Sequence, residues 1–322
     1  MIHKDLCISE IKKIKSKINK YINKTPYIVN PNNLSKLLNT EIALKLEFFQ
    51  HGGTFKARGA LNNILSLNSN EKKRGVTAVS AGNHAIAVSY AANILNINCK
   101  VVMYKNSNLF RINKTRSFNS KIVLANPKEG FELMDKFSKK EGRIIIHPFE
   151  GIKTIQGSAT LGYEISNEIN HIDNIIISVG GGGLISGVGS IIKQKYPKCK
   201  IIGVEPKGAN SLTKSLEKGY PLKSVKINTI ADSLSPPLHM PISFSICQKV
   251  IDRMVLVSDY EMKQAMKFMA HHCKFILEPA CVAGIAGLLG PLKNQLKNQK
   301  TVVIMCGTNI DMQSWLKLTN SR

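Results

Sequence analysis

Four consecutive glycines mark one place in this sequence where a ligand could bind. They lie between an apolar stretch at 175–179, which predicts a strand, and residues 184–194, which predict a helix. Such a junction leaves several backbone N–H groups free to converge beside the positive end of a helix, which suits a phosphate. A flexible turn is the alternative, and the spacing fits neither common nucleotide motif. The run, Gly180, Gly181, Gly182 and Gly183, therefore predicts a phosphate site without requiring a nucleotide.

One lysine stands where its amine could react with an aldehyde. Lys56 opens a predicted helix directly after the Gly52-Gly53 turn and beside the apolar Phe55. Apolar surroundings and a helix N-terminus disfavour the ammonium form, and a neutral amine can form a Schiff base. The alternative is a solvated surface lysine, as most of the 45 Lys and Arg residues must be.

A third stretch is suited to holding a carboxylate. It follows the strand predicted at 76–79 and starts the helix predicted at 85–95. Its N–H groups could bind an anion, although an ordinary helix cap explains the same pattern, and a structural role is favoured for its histidine. The stretch consists of Ser80, Ala81, Gly82, Asn83 and His84.

The elements that must position these residues alternate along the chain. Short apolar strands alternating with helices predict parallel sheets covered on both faces. Residues 207–240 are the least regular and are expected to wrap the surface or the site. Strands are predicted at 42–46, 76–79, 100–103, 122–124, 144–146, 175–179, 201–204, 255–257 and 302–305. Helices are predicted at 8–22, 55–67, 85–95, 130–137, 160–169, 184–194, 259–271 and 280–289.

Composition narrows the class of protein. The 322 residues carry a formal charge of +24, but Lys is spread along the whole chain and aromatic residues are only 6%, which argues against nucleic-acid binding. The seven cysteines form no CxxC pair, so neither disulfides nor a zinc knuckle are expected. A signal peptide and a membrane-spanning apolar run are both lacking. The sequence therefore predicts a cytoplasmic protein that does not enter membranes.

Taken together, the motifs resemble the fold-type II pyridoxal-phosphate (PLP) enzymes, in the branch of serine/threonine dehydratases (threonine ammonia-lyases) and serine racemases. The resemblance extends from Thr25 to Asp311, and its motifs occur in family order. The most specific motifs are 54–59, 80–85, 147–149, 179–183, 229–232 and 278–280.

The resemblance implies a role for each motif. Lys56 would carry the cofactor and act as the α-carbon base, with Phe55 beside the ring and Asn83 on the ring's oxygen. Cys306 would face the pyridine nitrogen and leave it unprotonated, which suits β-elimination. The cofactor phosphate would bind to Gly180, Gly181, Gly182, Gly183 and Leu184, and Glu278 would complete the cofactor site. The substrate carboxylate would bind to Ser80, Ala81, Gly82, Asn83 and His84.

Two departures from the family pattern concern catalysis and metal binding. Ala81 stands where the racemases have a second serine, so the expectation is a dehydratase rather than an efficient racemase. Glu205 and the carbonyl of Ala209 match the family's cation site, but Ser211 replaces its aspartate. A cation, if bound, is expected to be monovalent or a weakly held divalent ion.

Further departures concern the substrate. Tyr104 replaces a common proline, and Ser233 replaces a glycine that would flank the cofactor. They leave open an unusual substrate such as 3-hydroxyaspartate or an ectoine-derived amino acid.

The resemblance implies an α/β, two-domain, tryptophan synthase β-like fold with parallel-sheet cores flanked by helices. Residues 1–74 and 148–322 would form the large PLP-binding domain, and residues 75–147 the small mobile one. The expected activity is conversion of L-threonine or L-serine to a 2-oxo acid and ammonia, by a homodimer. The alternatives are a serine racemase and a catalytically inactive basic binding protein.

Overall fold

A computed structural model describes residues 3–321 of the chain. The strands are β1 (Tyr27–Val29), β2 (Glu41–Lys45), β3 (Val76–Val79), β4 (Cys99–Tyr104), β5 (Lys121–Ala125), β6 (Ile144–Ile145), β7 (Asn174–Ser178), β8 (Lys200–Pro206), β9 (Arg253–Val257) and β10 (Lys300–Ile304). The α-helices are α1 (Ile8–Ile18), α2 (Leu34–Leu38), α3 (Lys56–Leu65), α4 (Ser69–Arg74), α5 (Asn83–Ile94), α6 (Leu109–Arg116), α7 (Gly130–Glu141), α8 (Ile152–Glu168), α9 (Gly183–Lys195), α10 (Ser211–Lys218), α11 (Pro241–Val250), α12 (Asp259–Cys273), α13 (Pro279–Leu289) and α14 (Met312–Asn320). Short 3-10 helices lie at Lys4–Leu6, Asn19–Tyr21, Pro31–Asn33, Glu47–Phe49, His51–Gly53, Lys207–Ala209 and Asp232–Leu234.

The strands form two separate sheets. The larger has the order β1-β2-β10-β7-β8-β9 and is parallel except for β1, which pairs antiparallel with β2 at the edge. The smaller has the order β5-β4-β3-β6 and is parallel throughout. Every residue of β3 and of β7 is buried, as expected for central strands of parallel sheets with both faces covered. The predicted parallel α/β architecture is therefore confirmed.

The smaller sheet lies within the range predicted for the small domain. Its strands all fall between residues 76 and 145. The larger sheet draws on both ends of the chain, because β2 and β10 are direct neighbours. The boundaries 1–74, 75–147 and 148–322 stay a prediction, and their terminal residues 1, 2 and 322 lie outside the described residues. Within residues 3–321, the helices are too short or too polar for any of them to cross a membrane.

Some elements differ from the sequence prediction. The helix predicted at 8–22 ends at Ile18 and continues as a 3-10 turn, and the helix predicted at 160–169 already begins at Ile152. Strand β1 and helices α2, α4, α6, α10, α11 and α14 are not predicted by the sequence. Charged and polar residues break the apolar periodicity of α6, which nevertheless buries Arg111 through ionic contacts. Helix α10 falls in the stretch expected to be irregular, where Glu205 binds the N–H groups of its first turn.

A buried ion cluster joins α3 to its neighbours. Arg58 is completely buried and donates two hydrogen bonds of 2.8 Å to Glu47 and bonds of 3.0 and 2.9 Å to Glu164 on α8. Lys45 lies 3.3 Å from the same Glu164. Burial alone would raise the pKa of Glu164, but the charge and hydrogen bonds of Arg58, together with Lys15 and Lys45, outweigh it and lower the pKa to about 2. The cluster fixes the start of α3, two residues from Lys56.

We expect Arg58→Met to lower the free energy of unfolding by about 3–5 kcal/mol, because Glu47 would be left buried without a cation. Urea denaturation measures this loss. The control is Lys24→Met, which removes an exposed ion pair of 3.8 Å with Glu168 and should cost no more than about 1 kcal/mol. Equal losses in the two variants would contradict a stabilising role for the buried cluster.

Candidate active site

A cleft of about 690 Å³ collects most of the residues that the sequence singled out. Its walls come from segments that flank both sheets. The predicted residues that line it are Phe55, Lys56, Asn83, His84, Gly180, Gly181, Gly182, Gly183, Leu184, Glu278 and Cys306. An adjoining part of the cleft is lined by Ser80, Ala81 and Gly82, again with Lys56 at its wall. The fold therefore brings the three stretches, which are far apart in sequence, to one place.

Lys56 is the first residue of α3 and faces into the cleft. The preceding Phe55 N–H donates to the Cys306 carbonyl at 3.1 Å, which ties the start of the helix to the end of β10. The Lys56 amine donates to the Pro148 carbonyl at 2.9 Å. Burial lowers the pKa of Lys56 to about 8, although Cys306 and Glu278 act in the opposite direction. A substantial fraction of this amine is therefore neutral near physiological pH.

The glycine run forms a cradle that admits no side chain. Gly182 has a left-handed conformation (φ 85°), and the run leads into α9, whose first N–H groups have no acceptor within the helix. A Cβ at Gly181 would lie 2.1 Å from the Phe149 ring, and one at Gly183 would lie 2.7 Å from the Phe149 carbonyl oxygen. Phe149 thus packs so closely against the loop that only glycine fits there, and the backbone N–H groups of the loop remain to bind an anion.

The stretch after β3 forms a tight turn into α5. The Ser80 hydroxyl accepts a hydrogen bond of 3.0 Å from the Gly82 N–H. The ring of His84 is buried and lies 2.7 Å from the Ile146 carbonyl. Burial, together with the nearby Lys56 charge, lowers the pKa of His84 to about 3. His84 is therefore neutral at physiological pH and is held by the main chain.

Polar side chains on the opposite wall are buried and paired. Glu278 is completely buried and accepts a hydrogen bond of 2.5 Å from the Asn83 amide. The Asn83 side-chain oxygen in turn accepts from Asn309 at 2.6 Å. The Cys306 thiol donates to the Ala280 carbonyl at 3.7 Å, and Cys306 also lines the cleft.

Four residues at the site were missed or given no role by sequence reasoning. Pro148 and Phe149 belong to a recognised motif, and the structure shows that they contact the lysine and the glycine loop. Arg111 and Asn309 carry no local signal, because their partners at Glu278 and Asn83 are distant in sequence. Only the fold could reveal them.

The weak candidates for a cation site have other partners. The Glu205 carboxylate accepts from the N–H groups of Leu212 and Thr213 and from the Thr213 hydroxyl. Burial raises the pKa of Glu205 to about 7. Ala209 is buried in the adjoining 3-10 turn. Across residues 3–321, no group of three or more His, Cys, Asp or Glu side chains is arranged to hold a metal ion.

Comparison with known proteins defines the class. Residues 18–307 match the family described as pyridoxal-phosphate dependent enzyme, and the chain therefore belongs to that family. It is 39% identical over 311 residues to the phenylserine dehydratase of Ralstonia pickettii, which covers 96% of this chain and 95% of that protein. The L-threonine ammonia-lyase of Thermotoga maritima is 35% identical over 289 residues, or 89% of this chain and 72% of that protein. The structure of maize serine racemase superimposes with a TM-score of 0.91 at 28% identity, covering 96% and 95% of the two chains.

These similarities confirm the predicted family, the fold-type II class and PLP as the cofactor. The residues present also fit the cofactor on physical grounds. The cradle at 180–184 would hold its phosphate through backbone N–H groups. Its glycines are required there, because any side chain at Gly181 would collide with Phe149. The Lys56 amine would meet its aldehyde, and Asn83 and Cys306 line the same cleft where the ring would lie.

Proposed function

We propose that the protein is a PLP-dependent ammonia-lyase that converts a small 3-hydroxy amino acid, L-threonine or L-serine, to a 2-oxo acid and ammonia. The observation that supports this most directly is the Lys56 amine, whose pKa is lowered to about 8 and which faces the same cleft as the glycine cradle. The relatives named phenylserine dehydratase and L-threonine ammonia-lyase support the reaction class. The homodimer stays a prediction.

Different residues of this chain would bind the substrate and remove its α-proton. When bound, PLP supplies an aldehyde that captures the substrate amine and a ring that delocalises charge from the α-carbon. The N–H groups of the 80–84 turn would hold the substrate carboxylate. The neutral Lys56 amine, placed at the wall between the cradle and this turn, would remove the α-proton. Loss of the β-hydroxyl as water, followed by hydrolysis of the resulting enamine, gives the 2-oxo acid and ammonia.

Elimination is favoured over racemisation by the group at position 81. Racemisation needs a proton donor on the face of the α-carbon opposite the lysine. Ala81 lines the adjoining part of the cleft and offers only a methyl group there. His84, which lines the same part, is neutral and bound to the main chain. The proposal is therefore a dehydratase and not an efficient racemase.

The adjoining part of the cleft favours a second candidate substrate with an aromatic β-substituent. Part of its wall is apolar and is formed by Tyr104, Phe131, Pro236, Pro237 and Leu238, although polar residues also line it. A phenyl ring would bury apolar surface there, in keeping with the relative named phenylserine dehydratase.

The same lining argues against 3-hydroxyaspartate as the substrate. Among the described residues that line this part of the cleft, Lys56 is the only Lys or Arg, and the nearby Arg111 is already paired with Asp232 and Glu278. A second substrate carboxylate would therefore lack a cation that is free to pair with it.

A screen for release of 2-oxo acid tests the reaction class. The purified protein with PLP is expected to release 2-oxo acid and ammonia in equal amounts from L-threonine or L-serine. Lys56→Ala should abolish turnover because the α-proton loses its base, whereas the exposed-site control Lys12→Ala should keep it. A wild-type rate in Lys56→Ala, or no release from any 3-hydroxy amino acid, would refute the proposal; the second result would favour the binding-protein alternative.

Substitution of one wall residue tests the aromatic substrate. Phe131→Ala should lower kcat/KM for phenylserine at least about tenfold and leave that for threonine within about threefold, because only the larger substrate loses apolar contact. The matched control is Phe137→Ala on the same helix, whose ring packs under the Lys100 amine 4.4 Å away and does not line the cleft. Equal losses for both substrates would contradict a specific role of Phe131.

A further inference from the structure

Arg111 connects elements of the two sheets at the active site. It lies on α6, beside the smaller sheet, and is 4% exposed. Its guanidinium donates to the Asn309 carbonyl at 2.6 Å, to Asp232 at 2.5 Å and to Glu278 at 3.0 Å. All three partners lie in segments that accompany the larger sheet. The planar fork of Arg111, with its several N–H donors, allows one side chain to serve all three acceptors.

The Glu278 carboxylate links Arg111 to Asn83 by accepting a hydrogen bond from each of them. One of its oxygens accepts from Arg111, and the other accepts from the Asn83 side-chain nitrogen at 2.5 Å. The two ends of an asparagine amide are similar in size, so hydrogen-bond partners decide which way it points. Here the Glu278 carboxylate can only accept, so the Asn83 side-chain nitrogen must face it, while Asn309 donates to the Asn83 side-chain oxygen at 2.6 Å. The amide of Asn83 therefore has one orientation.

The remaining N–H of Asn83 donates to the Ser233 hydroxyl at 3.2 Å, the longest hydrogen bond of this amide, and both residues line the cleft. This N–H is the one that a ligand in the cleft could accept. If the amide were reversed, its carbonyl oxygen would face Glu278, which is unfavourable while that carboxylate is ionised. Glu278 and Asn309 thus act together to fix which atom Asn83 offers to the cleft.

Arg111 is the group that most favours the ionised form of Glu278. Burial raises the pKa of Glu278 above its ordinary value, and the Arg111 charge, the largest of the opposing influences, offsets part of that rise. The charged and titratable groups that face Glu278 are Arg111, Asp232, Lys56, Lys114 and Cys281. Lys56 and Lys114 form their own hydrogen bonds with Pro148 and Asn309, whereas Arg111 binds the carboxylate directly.

We propose that Arg111 is a positioning residue that acts through Glu278 to make Asn83 donate an N–H to the ring oxygen of bound PLP. This inference rests on the proposed function, because it assumes that the ring lies against Asn83. The stem of Arg111 also supports the substrate-binding turn, since a Cβ at Gly82 would lie 2.4 Å from its Cδ. Arg111 would thus position both Asn83 on the cofactor side of the cleft and the turn at Gly82 on the substrate side.

The pH titration of the visible absorbance band of bound PLP tests this role. An N–H donated to the ring oxygen stabilises its anionic form, so loss of the donor should raise the titration midpoint. Arg111→Met should raise it by about one pH unit or more, and Arg111→Lys should restore most of the wild-type value by retaining the charge. The control Arg116→Met removes an exposed arginine of the same helix and should leave the midpoint unchanged.

A second variant covers the case in which Arg111→Met fails to fold. Glu278→Gln removes the charge that needs Arg111, and should raise the midpoint in the same direction. The double variant should shift the midpoint no further than either single change, because both act through one contact. An unchanged midpoint in a folded Arg111→Met or Glu278→Gln protein would overturn the inference. A wild-type protein that forms no visible band with PLP would instead overturn the proposed function.

Discussion

The reactivity of this cleft depends on holding one lysine amine away from water while the helix that carries it stays fixed. Arg58, two residues further along α3, is buried between Glu47 and Glu164 and anchors that helix to α8. The main chain just before the lysine is tied to Cys306 at the end of β10. The amine is thereby directed at the Pro148 carbonyl, in surroundings that lower its pKa to about 8. A large charged cluster outside the cleft thus supports the position of an amine with a lowered pKa within it.

Much of this arrangement could be predicted from local sequence. The alternation of apolar strands and helices gave the parallel sheets, because strands such as β3 and β7 are buried on both faces. The glycine run, Lys56 and the 80–84 turn each follow or precede such an element, so their meeting at one edge was expected from parallel-sheet geometry. The family motifs added the cofactor, which the glycine run alone left as an unspecified phosphate.

The remainder depends on contacts between distant segments. Helix α6 has no clear apolar stripe, because a charged residue, Arg111, occupies its buried face. The acceptors that stabilise Arg111 lie more than a hundred residues away in sequence. Phe149 acquires its role only when it packs behind Gly181. Tyr104, noted in the sequence as a departure, packs against Gly130 and lines the same part of the cleft as Leu238. No periodicity or spacing along the chain encodes these juxtapositions.

The pH dependence of cofactor attachment tests the central claim most directly. PLP would be mixed with the cofactor-free protein at a series of pH values, the products reduced with borohydride, and the modified lysine identified by peptide mass spectrometry. Only the neutral amine attacks the aldehyde, so the initial rate at Lys56 should rise with pH and be half-maximal near pH 8. A midpoint near the ordinary lysine value of 10.5, or attachment spread over surface lysines, would contradict a buried, activated Lys56.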